Sequence, residues 1–277
     1  MEITKQSLRE FRAYLESEER SAGTVEKYLR DVSALVRWLC GASAEKERIA
    51  QWRDALLEDH KPGTVNSMLA SVNAYLRFMG AEEQRVKTLR VQRRMFRAPE
   101  RELTRGEYER LVSTARAGGK VRLALMLETI CATGIRVSEL RYITVEAARV
   151  GRAEIRLKGK IRTILLPGKL CRKLKKYAEK QKTASGEIFL TRSGRPLGRK
   201  QIWAEMKALC AAAGVEASKV FPHNLRHLFA CMYYRSCRDI VQLADILGHS
   251  SIETTRVYLI SSGEEHKKRM ERLRLIA

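Results

Sequence analysis

Apolar residues in this chain recur almost everywhere at the three- and four-residue spacing of a helix, and one stretch alone alternates at length. Ala153-Glu154-Ile155-Arg156-Leu157 alternates, Lys158-Gly159-Lys160 turns, and Ile161 to Pro167 returns, which reads as a β-hairpin with lysines at its tip. Ile188-Phe189-Leu190 reads as one further short strand. The fold class is therefore mainly α with a small β-hairpin or sheet (α+β).

The first helix is expected over 3–17, with Leu8, Phe11, Tyr14 and Leu15 on one face. A second follows Ser21-Ala22-Gly23-Thr24, carries Val25, Tyr28, Leu29, Val32, Leu35, Val36 and Leu39, and stops at Gly41. A third holds Ile49, Trp52 and Leu56. After a Pro62-Gly63 turn, Thr64 opens a fourth that runs to Gly80 with Val65, Leu69, Val72, Leu76 and Phe78. Four short helices make a bundle able to straddle a cylinder, with Arg30, Lys61, Asn66 and Arg77 as candidate phosphate or base contacts. From Val86 to Glu102 the pattern lapses into Arg90, Arg93, Arg94, Arg97 and Pro99, a basic linker. The expected domains are 1–88 and 104–277, joined by 89–103.

Thr104-Arg105-Gly106-Glu107 is a capping box for a helix with Tyr108, Leu111, Val112 and Ala115. Residues 120–132 are apolar on most sides and predict a central core helix. Gly134 permits a tight turn that projects Arg136, and Glu139 could hold its guanidinium from behind. A very basic helix spans Lys169 to Lys182, a basic loop Arg192 to Arg199, and a further helix carries Ile202, Trp203, Met206 and Leu209. Leu228, Phe229 and Met232 should pack the helix starting near His223. Asp239 caps a helix that Gly248 ends, leaving His249 just beyond it. Ser250-Ser251-Ile252-Glu253 reads as a second capping box opening a helix that carries Tyr258, and Glu264–Leu275 as a charged amphipathic tail helix.

The chemistry concentrates in Phe221-Pro222-His223-Asn224-Leu225-Arg226-His227, Leu247-Gly248-His249 and Tyr258. His223 and Arg226, three residues apart, share a helical face. Arginine clamps phosphate oxygens bidentately, histidine moves protons near neutral pH, and tyrosine can form a covalent intermediate. Converging on one point, they suit metal-free cleavage of a phosphodiester. A hairpin lysine could protonate a leaving alkoxide. His227 reads as a packing or supporting histidine, His60 and His266 as surface.

The net charge of +22 and pI of about 10.1 point to a polyanion. Residues 1–100 carry only +3 and 101–277 carry +19, of which +13 falls between 151 and 200. These charges lie on hairpin and loop segments rather than on an amphipathic membrane-surface helix, so nucleic acid is favoured. No apolar run is long enough to span a bilayer and the N-terminus lacks a signal-peptide core, so a cytoplasmic protein is expected. The six cysteines form no C-x-x-C pair and read as buried reduced thiols, without zinc or disulfides. No P-loop pattern is present.

With these residues in view, the whole chain resembles the tyrosine recombinases, the integrase family of phage and conjugative elements and the Xer type. Thr133-Gly134-Ile135-Arg136-Val137-Ser138-Glu139-Leu140 is similar to the family's first-arginine box, and His223-Asn224-Leu225-Arg226 to its H-x-x-R box, with Leu247-Gly248-His249 and Tyr258 at the family's intervals. The resemblance implies a catalytic set of Arg136, Lys158, His223, Arg226, His249 and Tyr258. The hairpin turn is about one residue shorter than the common version, which keeps Lys160 as rival to Lys158. It also implies a helical core-binding (SAM-like) domain and a mixed catalytic domain that together form a C-clamp on DNA. With no arm-binding domain ahead of the bundle, a minimal two-domain, Xer-sized form is expected.

The reaction implied is site-specific recombination of double-stranded DNA through a 3′-phosphotyrosyl link and a Holliday junction. It needs neither metal nor ATP, uses four protomers in the synapse, and leaves an accessory DNA-bending or excision factor as candidate partner. A type IB topoisomerase, resealing the same strand, and a non-catalytic DNA-binding regulator on the same fold are the rival readings.

Overall fold

A computed structural model describes residues 1–91, 99–157, 160–258, 267 and 270–273. The chain divides into two compact units, Met1–Arg93 and Arg94–Ala277.

In the first unit α1 (Lys5–Ser17), α2 (Ala22–Leu39), α3 (Lys46–Asp59) and α4 (Pro62–Phe78) surround a core of Phe11, Val32, Leu35, Ile49, Leu69 and Tyr75, all fully buried. Thr4 and Ser7 exchange caps at the start of α1. The Ser7 hydroxyl is also 2.6 Å from that of Tyr75, so the buried phenol is satisfied. The α4 helix begins at Pro62 rather than Thr64, because proline fits the first turn, where its missing N–H has no partner to lose. Asp31 is buried, and Lys27 Nζ (2.7 Å) and Ser71 Oγ (2.8 Å) both donate to it, which ties α2 to α4.

Two α4 asparagines capture the chain that follows. Asn73 donates to the Val86 carbonyl (2.9 Å) and accepts from its N–H (3.2 Å), and Asn66 does the same for Leu89 (2.9 and 2.7 Å). The segment from Val86 to Leu89 is thus bound to the bundle rather than free linker, and Asn66 is occupied instead of offered to DNA. Residues 92–98 of the expected linker lie outside the described residues.

The second unit is built on α6 (Val121–Thr133), which packs against α5 (Arg105–Ala117), α8 (Gly168–Lys180), α9 (Arg199–Lys207) and α11 (Pro222–Cys237). Its near-continuous burial from Leu123 to Leu127 matches the central position expected of an all-round apolar helix. The Thr104–Glu107 capping box forms. A 3-10 helix over Val137–Tyr142 and the short α7 (Val145–Val150) lead into β1 (Arg152–Leu157) and β2 (Lys160–Leu165). The strands pair antiparallel from Arg152↔Leu165 to Leu157↔Lys160, so Lys160 belongs to the ladder, and Lys158 and Gly159 between the strands lie outside the described residues.

Ile188 and Phe189 are buried, yet no strand forms among the described residues there; only the isolated bridges Thr144↔Glu187 and Leu190↔Pro196 flank them. With no strand laid alongside, the apolar run goes into the core as irregular chain. After α9 come α10 (Cys210–Ala213), α11, α12 (Ile240–Leu247) and α13 (Ile252–Arg256). Met232, expected to pack, is instead exposed on α11. Most of the expected tail helix lies outside the described residues. No disulfide joins the six cysteines; Cys171 and Cys210 are buried as expected, whereas Cys40 and Cys237 are exposed.

Candidate active site

Gly134 ends α6 in the left-handed region (φ +64°), and a Cβ there would lie 2.3 Å from a Phe229 ring carbon. Only glycine lets the end of α6 sit this close to α11. The chain then turns into the 3-10 helix with Arg136 as its cap. Glu139, 1 % exposed, accepts from the Arg136 N–H (2.7 Å) and from its Nη1 (3.0 Å), so one carboxylate fixes both backbone and guanidinium. The Arg136 side chain remains 44 % exposed, available to a ligand.

Pro222 starts α11, which places His223 in the first turn and Arg226 one turn on. Arg226 is 2 % exposed. It donates from Nη1 to the Gly134 carbonyl (2.5 Å), and from Nη2 to the Leu247 carbonyl (2.7 Å) and to His249 Nε2 (2.9 Å). Tyr258 is near enough to interact with it electrostatically. One guanidinium therefore joins the ends of α6 and α12 to the histidine.

Asp239 caps α12 as expected, and Gly248 (φ +64°) ends it. His249 follows. Because a guanidinium can only donate, Nε2 of His249 is an acceptor here, and its Nδ1 carries the proton given to Thr255 Oγ1 at 2.9 Å. Thr255 is fully buried. The cap of α13 is Ser251, which puts Glu253 one position too early to close the expected box. Tyr258 lies just past the C-cap Val257 rather than within the helix. Its ring is buried with Ala230, Leu243 and Leu247, stacked 5.9 Å from His249 and tilted against His227 at 5.1 Å and His223 at 6.4 Å.

The site is strongly cationic, and its histidines answer to that. Desolvation first, then the charges of Arg226, Arg136 and Arg162, bring His249 down to about 4. Partial desolvation, followed by Arg226 and Arg136, also lowers His223. Both shifts favour the neutral imidazole, and the Nε2 lone pair of His249 is already taken by Arg226. Among the described residues no group of His, Cys, Asp or Glu could hold a metal ion.

The structure brings Arg136, His223, Arg226, His249 and Tyr258 together, with Glu139 and His227 beside them. Lys158 falls outside the described residues, and of Lys160 only the backbone is described. Two residues at the site went unnoticed in the sequence. Thr255, which accepts from His249 Nδ1, gives no signal in the chain. Arg162 does give one: it pairs across the hairpin with the buried Ile155, in the register of the buried Ile164, so a charge occupies the inward face of a strand.

Residues 101–265 match the model of the phage integrase family, and residues 8–83 match that of the phage integrase N-terminal SAM-like domain. The chain is 30% identical to a tyrosine recombinase XerA of Thermococcus onnurineus, covering 100% of this chain and 98% of the relative. It is 27% identical to a tyrosine recombinase XerA of Pyrococcus furiosus, with 99% and 96% covered. A solved lambda integrase tetramer bound to a Holliday junction shares its fold, with a TM-score of 0.73, 19% identity, and 91% and 76% of the two chains covered.

Proposed function

We infer the reaction from kinship and geometry together: the chain belongs to the phage integrase family, and it is a tyrosine recombinase that cuts and rejoins DNA strands at specific sites. The observation that carries the chemistry is the convergence of Arg226, Arg136, His249 and the buried Tyr258 on one place. A nucleophile and the groups able to grip a phosphate already share one subunit's pocket.

In this reading Arg136 and Arg226 hold the non-bridging oxygens of the scissile phosphate and offset the charge that builds in the transition state. The Tyr258 oxygen attacks phosphorus, its proton passes to neutral His223, and the bond to the 5′-oxygen breaks. Lys158 gives that oxygen its proton. His249 bonds the phosphate once Arg226 has exchanged partners. The Thr255 hydroxyl can reverse its own bond and so allow the Nε2–H tautomer this needs. The 3′-phosphotyrosyl ester conserves the bond energy, and a 5′-hydroxyl from another strand attacks it in the reverse step. Two duplexes cut at two strands each require four protomers, the number in the Holliday-junction complex that shares this fold. Double-stranded DNA is the partner, and each of the two units, residues 1–88 and 104–277, supplies part of the grip.

The test uses nicked duplexes with a randomised centre, which trap any covalent adduct because the cut releases a short 5′-end. The wild-type protein should form an adduct and select a site. Tyr258→Phe should bind that site with unchanged affinity and form no adduct. Adduct formation by Tyr258→Phe, or none by wild type, overturns the reading.

A further inference from the structure

Glu139 serves two arginines, not one. Its Oε1 accepts from Arg136 Nη1 at 3.0 Å, and its Oε2 accepts from the Arg136 N–H and from Arg162 Nη2. Arg162 comes from the opposite direction, out of β2, and its Nη1 donates to the Ile246 carbonyl at the end of α12 (3.1 Å). It passes directly over Gly248, where a Cβ would stand 2.5 Å from its Cδ. Its side chain is 16 % exposed, and its buried Nε–H has no protein partner. A cation buried with an unanswered donor costs stability rather than adding it, so stability alone does not account for an arginine here.

The geometry of a carboxylate explains what it does. A guanidinium facing an isolated carboxylate closes on both oxygens as a parallel pair. If Arg136 closed in this way on Glu139, its fork would be spent within the protein. Arg162 takes Oε2 and leaves Arg136 only one side-chain bond to Glu139, with its remaining N–H groups turned outward. Two cations sharing one anion also leave the pair with net positive charge.

We propose that Arg162 is a positioning residue for strand cleavage: by occupying one oxygen of Glu139 it keeps the guanidinium of Arg136 open towards the scissile phosphate. The inference rests on the reading of Arg136 as a phosphate clamp. Arg162 reaches Arg136 through Glu139, and the Ile246 carbonyl holds it in place.

The test measures cleavage rates on the nicked duplex selected by wild-type protein, and on the same duplex with a methylphosphonate at the scissile position. The methyl group removes the charge that an arginine clamp serves. Arg136→Ala should cleave the phosphodiester about a hundredfold more slowly than wild type. Arg162→Ala should lose about tenfold, and the double variant should be no slower than Arg136→Ala within about threefold, since both changes act through one guanidinium. Both single losses should shrink on the methylphosphonate. Site affinity and the melting curve identify a variant that has failed to fold. In that event Arg162→Lys, which keeps a cation on Glu139 but cannot also reach the Ile246 carbonyl, should show a smaller loss with the same substrate dependence. Losses that multiply in the double variant, or a loss for the position-162 variant that is equal on both substrates, overturn the inference alone. An Arg136→Ala protein that cleaves normally overturns the clamp itself.

Discussion

At the scale of single residues, the site is governed by how many cations surround so few acceptors. His249 shows the effect most directly. Its pKa of about 4 lies below the ordinary 6.5, so between these values the folded protein binds fewer protons than the unfolded chain. The stabilising contribution is complete above about pH 6.5 and is lost as the pH falls towards 4, and His223 acts in the same direction. The melting temperature of the DNA-free protein should therefore decline on acidification through this window, and His249→Gln should give a shallower decline; parallel curves would refute the assignment. The sequence showed Arg136, Glu139 and the histidines by their spacing. Arg162 was also visible, as a charge on the inward register of an alternating strand. Thr255 was not, because a buried threonine six residues from a histidine resembles any helical threonine until the ring beside it is seen.

At the scale of elements, the site depends on two helix ends that only glycine allows. Gly134 combines a left-handed backbone with a ring carbon where its Cβ would be. Gly134→Ala should cost about 2–3 kcal/mol of stability, since the backbone strain and the overpacking fall on the same atom. Urea unfolding gives the value, and a loss below about 1 kcal/mol would mean that Phe229 swings aside. The longer helices were legible, most plainly α5 and α12, where period and caps agree, whereas the short α7 and α10 were not read. The exceptions have local causes. Two adjacent serines compete to cap α13, so the frame of the box shifts and Tyr258 falls beyond the helix end. The apolar run at Ile188 satisfies burial without pairing, and length alone does not separate the two.

At the scale of the whole molecule, no hydrophobic cluster crosses between the units: one lies in the first, and a large and a small one lie in the second. Residues 1–91 hold a closed core and their own polar ties, so this fragment should fold alone, with helical circular dichroism and a cooperative melt; a fragment without a cooperative transition would show that it leans on the rest. The division was legible as a lapse in periodicity, but its near edge was not. Asn66 and Asn73 look like ordinary surface residues of α4, and nothing in their spacing reveals that each grips a residue more than ten positions away. The charge asymmetry, +19 on 101–277 against +3 before it, pointed to the partner without locating the contacts. No described helix is long and apolar enough to cross a membrane.

Arg226 has one last consequence. On the reading proposed above, the guanidinium is committed before DNA arrives to two carbonyls and an imidazole, with Tyr258 beside it. A stray phosphate drifting in from solvent then meets an occupied receptor, and only a ligand steered by many other contacts can hold its ground while those bonds are traded. In that reading fidelity begins before any base is read.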